Sequence, residues 1–254
     1  MEAVDIFIAN AGISGGLKAF DDADACMLNE VVSTTIGGTV LSAHAALRVF
    51  AAQRRRGATK GSLWLTDGAG ANGDATPMYS AYGCCKAAVR QFAKSLQAES
   101  PPSAIVGLLS PGLVLTDLLL DGHHSLRTKA AFNVLAQLPE TCASQLVPRI
   151  RAAHVHAVKH HASRGPHLRV LTHATAALQL MASPWTRHRY FDALGRPRFA
   201  AEEDRIAALH RGGRPPTGRS LTKVPMVTSG PHAKVAGVAI AAALLATAAS
   251  VGPW

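Results

Sequence analysis

The sequence is short of aromatic residues, of acidic residues and of paired cysteines. Aromatics make up 5% of the 254 residues. No stacking aromatics interleave with the basic runs, which argues against nucleic-acid binding. The four cysteines are Cys26, Cys84, Cys85 and Cys142, and none forms a Cys-x-x-Cys pair. Cys84 and Cys85 point in different directions on a helix. Neither a disulfide framework nor a zinc site is therefore expected, and a reducing compartment is the default. Acidic residues number 16 against 26 Lys and Arg, a formal charge of +10. The excess reads as an arginine-rich surface, with attraction to an anionic membrane or an acidic partner as the alternative. From its strand-like opening, Val4 to Ile8, the chain is expected to carry no signal or transit peptide. Also missing is a glycine-rich turn between a first strand and a first helix, where backbone N–H groups hold a pyrophosphate. Gly15-Gly16 and Gly37-Gly38 do not supply it, since neither opens a strand-to-helix turn.

What is present is a globular composition, 48% apolar and 17% charged. Residues 4–8 read as a buried strand ended by Ala9-Asn10-Ala11-Gly12. Residues 22–56 carry a helical period that closes on Arg54-Arg55-Arg56-Gly57, with cations at the dipole's C-terminal end and a glycine stop. A second strand is expected at 62–66, then a glycine-rich loop from Asp67 to Asp74, then a helix to about Glu99. Ile105 to Leu109 forms a third strand, closed by Ser110-Pro111-Gly112. This alternation predicts an α/β fold, a Rossmann-like doubly wound parallel sheet. Residues 113–180 read as helical with a lid-like loop, and 200–210 as a short amphipathic helix. The expected organisation is one partial domain over 1–210, a linker over 211–234 and an apolar segment over 235–252. That segment is eighteen uncharged residues, flanked by Lys234 and Trp254. Its length sits at the lower limit of a membrane span, with a tail helix packed on a partner as the alternative.

Tyr82 and Lys86 lie four residues apart on the helix that follows the glycine-rich loop, hence on one face. An ammonium beside a phenol favours the phenolate, so such a tyrosine can pass a proton to or from a carbonyl or alcohol. Four landmarks stand in order: Asn10-Ala11-Gly12, the glycine-rich loop, Tyr82-x-x-x-Lys86, and Pro111-Gly112-x-x-x-Thr116. Together they resemble the short-chain dehydrogenase/reductase superfamily. The resemblance implies Tyr82 as general acid or base and Lys86 as holder of the nicotinamide ribose and tuner of Tyr82. It also implies that Asn10, Ala11 and Gly12 support the cofactor site, and that Pro111, Gly112 and Thr116 contact the nicotinamide. Further segments are Asp67-Gly68-Ala69-Gly70, Thr76-Pro77, Ser110 to Leu120, Phe132-Asn133, Leu138 to Thr141, Leu146 to Arg149, Arg189 to Asp192 and Ala200 to Arg205. These resemble the chlorophyll b reductases of plants and green algae over about residues 4–210. That resemblance implies NADPH-dependent reduction of the 7-formyl group of chlorophyll b to 7-hydroxymethyl chlorophyll a. It also implies a place on the stromal side of the chloroplast thylakoid membrane, and a homo-oligomer or a hetero-oligomer with another reductase. The apolar residues Leu113, Leu115, Leu118, Leu119 and Leu120 suit a large macrocycle, although alternation assigns about half of them to core packing.

Three features depart from the superfamily pattern. With no phosphate turn, roughly the first 80 to 90 residues of a doubly wound domain are expected to be missing. The place of the usual serine before the tyrosine is held by Asp67, with Thr66 or Thr76 as alternative hydroxyls; later loop places are Ala71, Asp74 and Ala75. The place of the helix asparagine is held by Thr35, with Asn29 nearly two turns away. The alternative reading is therefore an inactive, truncated paralogue that docks on an active reductase or a light-harvesting complex. His154, His156, His160, His161, His167 and His173 crowd a basic stretch without carboxylate or cysteine, so a surface feature is expected rather than a metal site. His123 or His124 is a separate candidate to ligate a chlorin magnesium, against ordinary exposed loop histidines.

Overall fold

The computed structural model describes residues 3–162 and 164–210. The expected linker over 211–234 and the apolar segment over 235–252 lie outside the described residues. The chain divides into two compact units. The first holds Met1–Gly112 and Glu140–Val170; the second holds Leu113–Pro139 and the chain from Leu171 onward.

The first unit is a parallel sheet of four strands in the order β1-β2-β3-β4. They are β1 (Ile6–Ala9), β2 (Gly61–Thr66), β3 (Ala104–Ser110) and β4 (Arg164–Arg169). The three apolar runs of the sequence thus form the three expected strands, and the α/β fold class is borne out. All six residues of β2 are buried, as a central strand requires. Alternation sends Leu63, Leu65, Val106 and Leu108 to one face, where they pack with Ala43, Ala46, Phe50, Val89, Ala93 and Leu96.

Those partners come from two long helices, α2 (Gly38–Arg55) and α3 (Ser80–Glu99). Ahead of α2 stands α1 (Ala25–Val32), whose N-cap Asp24 accepts from the N–H groups of Cys26 and Met27. Between α1 and α2 the helix widens into one π turn, Ser33–Gly37. Thr35 is wholly buried there, and Thr39 Oγ1 donates to its carbonyl at 2.6 Å. By length and apolarity Ala25–Arg55 qualifies as a membrane span. Here Ala43, Ala46 and Phe50 of that run are core residues of the sheet's face.

The fourth strand is a correction to the helical reading of 113–180. Its sequence, Arg-Gly-Pro-His-Leu-Arg, has little apolar content, and a proline suits only an edge strand or a bulge. It has both: β4 is the edge, and its register with β3 shifts between Val106 and Leu108. The carbonyls at the shift are met by Gln97 Nε2 of α3, which donates to Val106 O at 2.8 Å and Gly165 O at 3.3 Å. Beside β4 runs α6 (Pro139–Lys159), which places His154 Nδ1 2.6 Å from Ser62 Oγ of β2.

The second unit holds α4 (Asp117–Leu120), α5 (Leu126–Leu135), α7 (His173–Met181), α8 (Ser183–Thr186) and α9 (Glu202–His210). Leu115, Phe132, Ala136, Leu138, Tyr190 and Phe191 form its core, with Leu113, Leu119, Leu120 and Phe199 packed against them. Asn133, 2% exposed, is the polar centre. Its Nδ2 donates to Arg187 O and Phe191 O, and its Oδ1 accepts from the N–H groups of Tyr190 and Phe191. Every hydrogen-bonding site of the amide is used. The Asn133 and Arg189–Asp192 segments of the sequence thus meet through one side chain. His123 lies against Phe132 with ring centroids 5.6 Å apart, while His124 is exposed.

Candidate active site

The C-terminal ends of parallel strands, where the chain leaves the sheet, are where α/β folds place their sites. At the end of β2 comes Asp67, 6% exposed, with its N–H bonded to Leu109 O at 2.9 Å. Residues 63, 65 and 67 share the parity that faces α2 and α3, whereas Thr66 shares that of Ser62 and Trp64. Thr66 Oγ1 is buried without a hydrogen-bond partner. Of the alternative hydroxyls, Thr76 donates to Tyr79 O at 3.3 Å and packs its side chain against Gly83 at the start of α3.

Tyr82 and Lys86 project from the first turns of α3. Lys86 is 4% exposed; its Nζ donates to Thr66 O at 3.0 Å and stands 5.5 Å from the centroid of the Tyr82 ring. The loop after β2 closes on both. A Cβ at Gly68 would sit 2.7 Å from the Tyr82 hydroxyl and 3.4 Å from Lys86 Cε. One at Gly70, whose φ is +82°, would sit 2.6 Å from Gly83 Cα. These two glycines are therefore required: one by close approach, the other also by a left-handed backbone.

Burial is the first cause that pushes the Tyr82 phenol up to about 12, and the Asp67 charge is the second. Burial also lowers the Lys86 ammonium, against a smaller upward pull from Asp67 and Cys85. The net effect on Tyr82 is opposite to the downward tuning expected from Lys86. The lysine ammonium is turned to a backbone carbonyl, and the Asp67 charge lies near the phenol. The phenol carries its proton at neutral pH, as a general acid requires.

Asp67 has two further partners that the sequence did not bring together. Ser110 Oγ, at the end of β3, donates to Asp67 Oδ1 at 2.5 Å. His167 Nε2, from β4, lies 2.6 Å from Ser110 Oγ and 3.3 Å from Asp67 Oδ2. Arg169 donates to His167 Nδ1 at 3.3 Å through Nε. His154 and His167 thus face the interior, which corrects the surface reading of the histidine stretch; His156 and His160 are exposed. The residues are 43 and 57 positions apart in sequence, and only the bulged register of β4 places His167 opposite β3.

Asn10 and Ala11 stand exposed just beyond β1, and Gly12 follows. A Cβ at Gly12 would meet Thr35 at 3.5 Å and Lys86 Nζ at 3.7 Å. Thr35 Oγ1 accepts from Ile13 N–H and donates to Ile13 O, both at 3.2 Å. Its hydroxyl is thereby committed to holding this loop. Pro111 and Gly112 close the first unit, and Cys142 Sγ lies 3.6 Å from Pro111 O. Thr116 belongs to the second unit, as N-cap of α4.

For a nicotinamide dinucleotide, these residues fit one end. Lys86 is a buried ammonium with three protons and one carbonyl bond, beside the open turn after β1. For the pyrophosphate, no strand-to-helix glycine turn occurs among the described residues. The Asn10–Gly16 turn leads instead to a single 3-10 turn, Phe20–Asp22.

Comparison with known proteins agrees with this picture. The short chain dehydrogenase family matches residues 1–124. A probable chlorophyll(ide) b reductase, chloroplastic, of Oryza sativa subsp. japonica is 40% identical over 208 residues, 80% of this chain and 38% of that protein. A chlorophyll(ide) b reductase, chloroplastic, of Arabidopsis thaliana is 39% identical over 157 residues, 60% of this chain and 44% of the relative. The chain thus spans about two fifths of the length of these curated relatives. Among solved structures, a 3-ketoacyl-(acyl-carrier-protein) reductase from Brucella melitensis superposes with a TM-score of 0.51 at 21% identity. It covers 66% of each chain, a likeness of fold.

Proposed function

We propose that this chain, whose residues 1–124 match the short chain dehydrogenase family, is the catalytic portion of a chlorophyll b reductase. The observation that carries the reading is the pair itself: Tyr82 with the buried Lys86 ammonium 5.5 Å from its ring centroid, at the mouth of a parallel sheet. The relatives' names supply the substrate class and the chloroplast location. Reduction of a formyl group to a hydroxymethyl group needs one hydride and one proton. NADPH, when bound, supplies the hydride. Tyr82 delivers its hydroxyl proton to the carbonyl oxygen as negative charge grows there. Lys86 binds the ribose with its free ammonium protons and stabilises the phenolate left behind. Asn10, Ala11, Gly12, Pro111, Gly112 and Thr116 are the further residues assigned to the cofactor. The substrate is a membrane pigment, so the reading extends to the stromal face of the thylakoid. It also extends to a homo-oligomer or a hetero-oligomer with another reductase.

The test is incubation of the purified chain with NADPH and chlorophyll b, followed by chromatography for 7-hydroxymethyl chlorophyll a. Steroid and quinone carbonyls serve as comparison substrates, and preference for one of them would overturn the pigment assignment. A second reading, a non-catalytic partner of an active reductase, is favoured by one observation. The Thr35 hydroxyl is spent on the Ile13 backbone, which removes it from any proton path through the helix. Micromolar NADPH binding by the purified chain would contradict this second reading.

A further inference from the structure

Tyr82 must recover a proton after each turnover, and the hydroxyl at the Thr35 position is bonded in both directions to Ile13. A different hydrogen-bonded path leads outward from the site. Arg169 donates to His167 Nδ1, so that nitrogen carries the lone pair and Nε2 carries the proton. His167 Nε2–H then points to Ser110 Oγ, and the Ser110 hydroxyl points to Asp67 Oδ1. All donors face inward. The His167 side chain is 21% exposed and Asp67 6%, so the path runs from solvent edge to interior. Its inner end adjoins Gly68, where a Cβ would lie 2.7 Å from the Tyr82 hydroxyl, and the Asp67 charge acts on that phenol. The set is not a nucleophile triad: Asp67 and Ser110 lie on the same ring nitrogen, whereas a triad carboxylate holds the opposite one.

We propose that His167, Ser110 and Asp67 form a proton relay that returns a proton from solvent to Tyr82. The proposal rests on the reductase reading above. In the step, Arg169 leaves Nδ1 and water protonates that nitrogen. Nε2–H passes to Ser110 Oγ, the Ser110 proton passes to Asp67 Oδ1, and Asp67 hands its proton to the phenolate through one bridging water. One proton is gained by Tyr82 and one lost by solvent. Asp67 ends as carboxylate, Ser110 as hydroxyl and His167 as the other neutral tautomer, which exchanges back through water. The charged and titratable groups around the path are Tyr82 and Lys86 of α3, Arg169 of β4 and Arg149 of α6, which donates to Arg169 O at 2.8 Å.

The test reads the Tyr82 hydroxyl directly. In mixed H2O and D2O, tyrosine labelled with 13C at Cζ resolves the O–H and O–D forms, and Tyr82→Phe assigns the signal. The relay predicts hydroxyl exchange about tenfold slower, or more, in His167→Gln and in Ser110→Ala, and recovery of His167→Gly by added imidazole. A merely structural role would loosen the site and speed exchange. Unchanged or faster exchange in either variant overturns the relay. In the chlorophyll b assay His167→Gln should lower kcat, raise its solvent isotope effect and leave KM within about twofold. A parent chain inactive towards chlorophyll b would overturn the reductase reading, and the exchange rates would still decide the relay.

Discussion

Gly68 shows how closely one residue holds the chemistry. A methyl group there would collide with the Tyr82 oxygen. Gly68→Ala is expected to displace the phenol by about an ångström and lower kcat about a hundredfold, with the fold's melting temperature little changed. Steady-state kinetics beside a thermal melt check this. The raised Tyr82 pKa carries a stability consequence with a definite sign. The folded state keeps the proton longer than the unfolded chain, whose tyrosine titrates near 10.0. Stability from this group is whole below pH 10 and is lost as pH rises towards about 12. Tyr82→Phe should therefore lose less stability than the parent between those values, by about 2–3 kcal/mol at the alkaline end. Denaturant titrations at several alkaline pH values measure it. Tyr82 and Lys86 were legible from their spacing together with the order of the landmarks around them. The upward shift was not, because it depends on burial and on which way the ammonium turns. Asp67, Ser110 and His167 were each visible as residues, but their meeting depends on strand register.

At the scale of elements, three strands were readable as apolar runs between glycine or proline stops; β2 and β3 bury on both faces, whereas β1, expected as a buried strand, is half-buried with Ile8 exposed. The fourth was not readable, since its polar sequence with Pro166 carries neither the alternation nor the apolar content of a strand. The π turn at Ser33–Gly37 likewise leaves no periodic mark in an otherwise helical run. The bulge in β4 leaves two carbonyls to which Gln97 Nε2 donates. Gln97→Leu should cost about 1–3 kcal/mol by removing both bonds, and it should also disturb His167. A denaturant midpoint shift with reduced reductase activity is the expected pair of results. In the second unit, Asn133→Leu strands four backbone groups at once. The expected loss is about 3 kcal/mol or more, read as a shift in the thermal midpoint.

At the scale of the whole molecule, β1 pairs among the described residues with β2 alone, and Ile8 and Val4 are 42% and 41% exposed. An edge strand with open backbone groups and exposed apolar side chains invites pairing with another chain. Ile8→Lys should lower self-association of the purified chain, measured by light scattering against concentration. The same edge lies beside Asn10, Ala11 and Gly12, so whatever covers it also bears on the cofactor end of the site. The central claim is that Tyr82 donates the proton in a chlorin aldehyde reduction. The most direct measurement is the rate of NADPH-dependent conversion of chlorophyll b to 7-hydroxymethyl chlorophyll a, compared between this chain and its Tyr82→Phe variant. A fall of at least about a hundredfold in kcat is predicted, with pigment binding retained. Equal rates in the two proteins would contradict it.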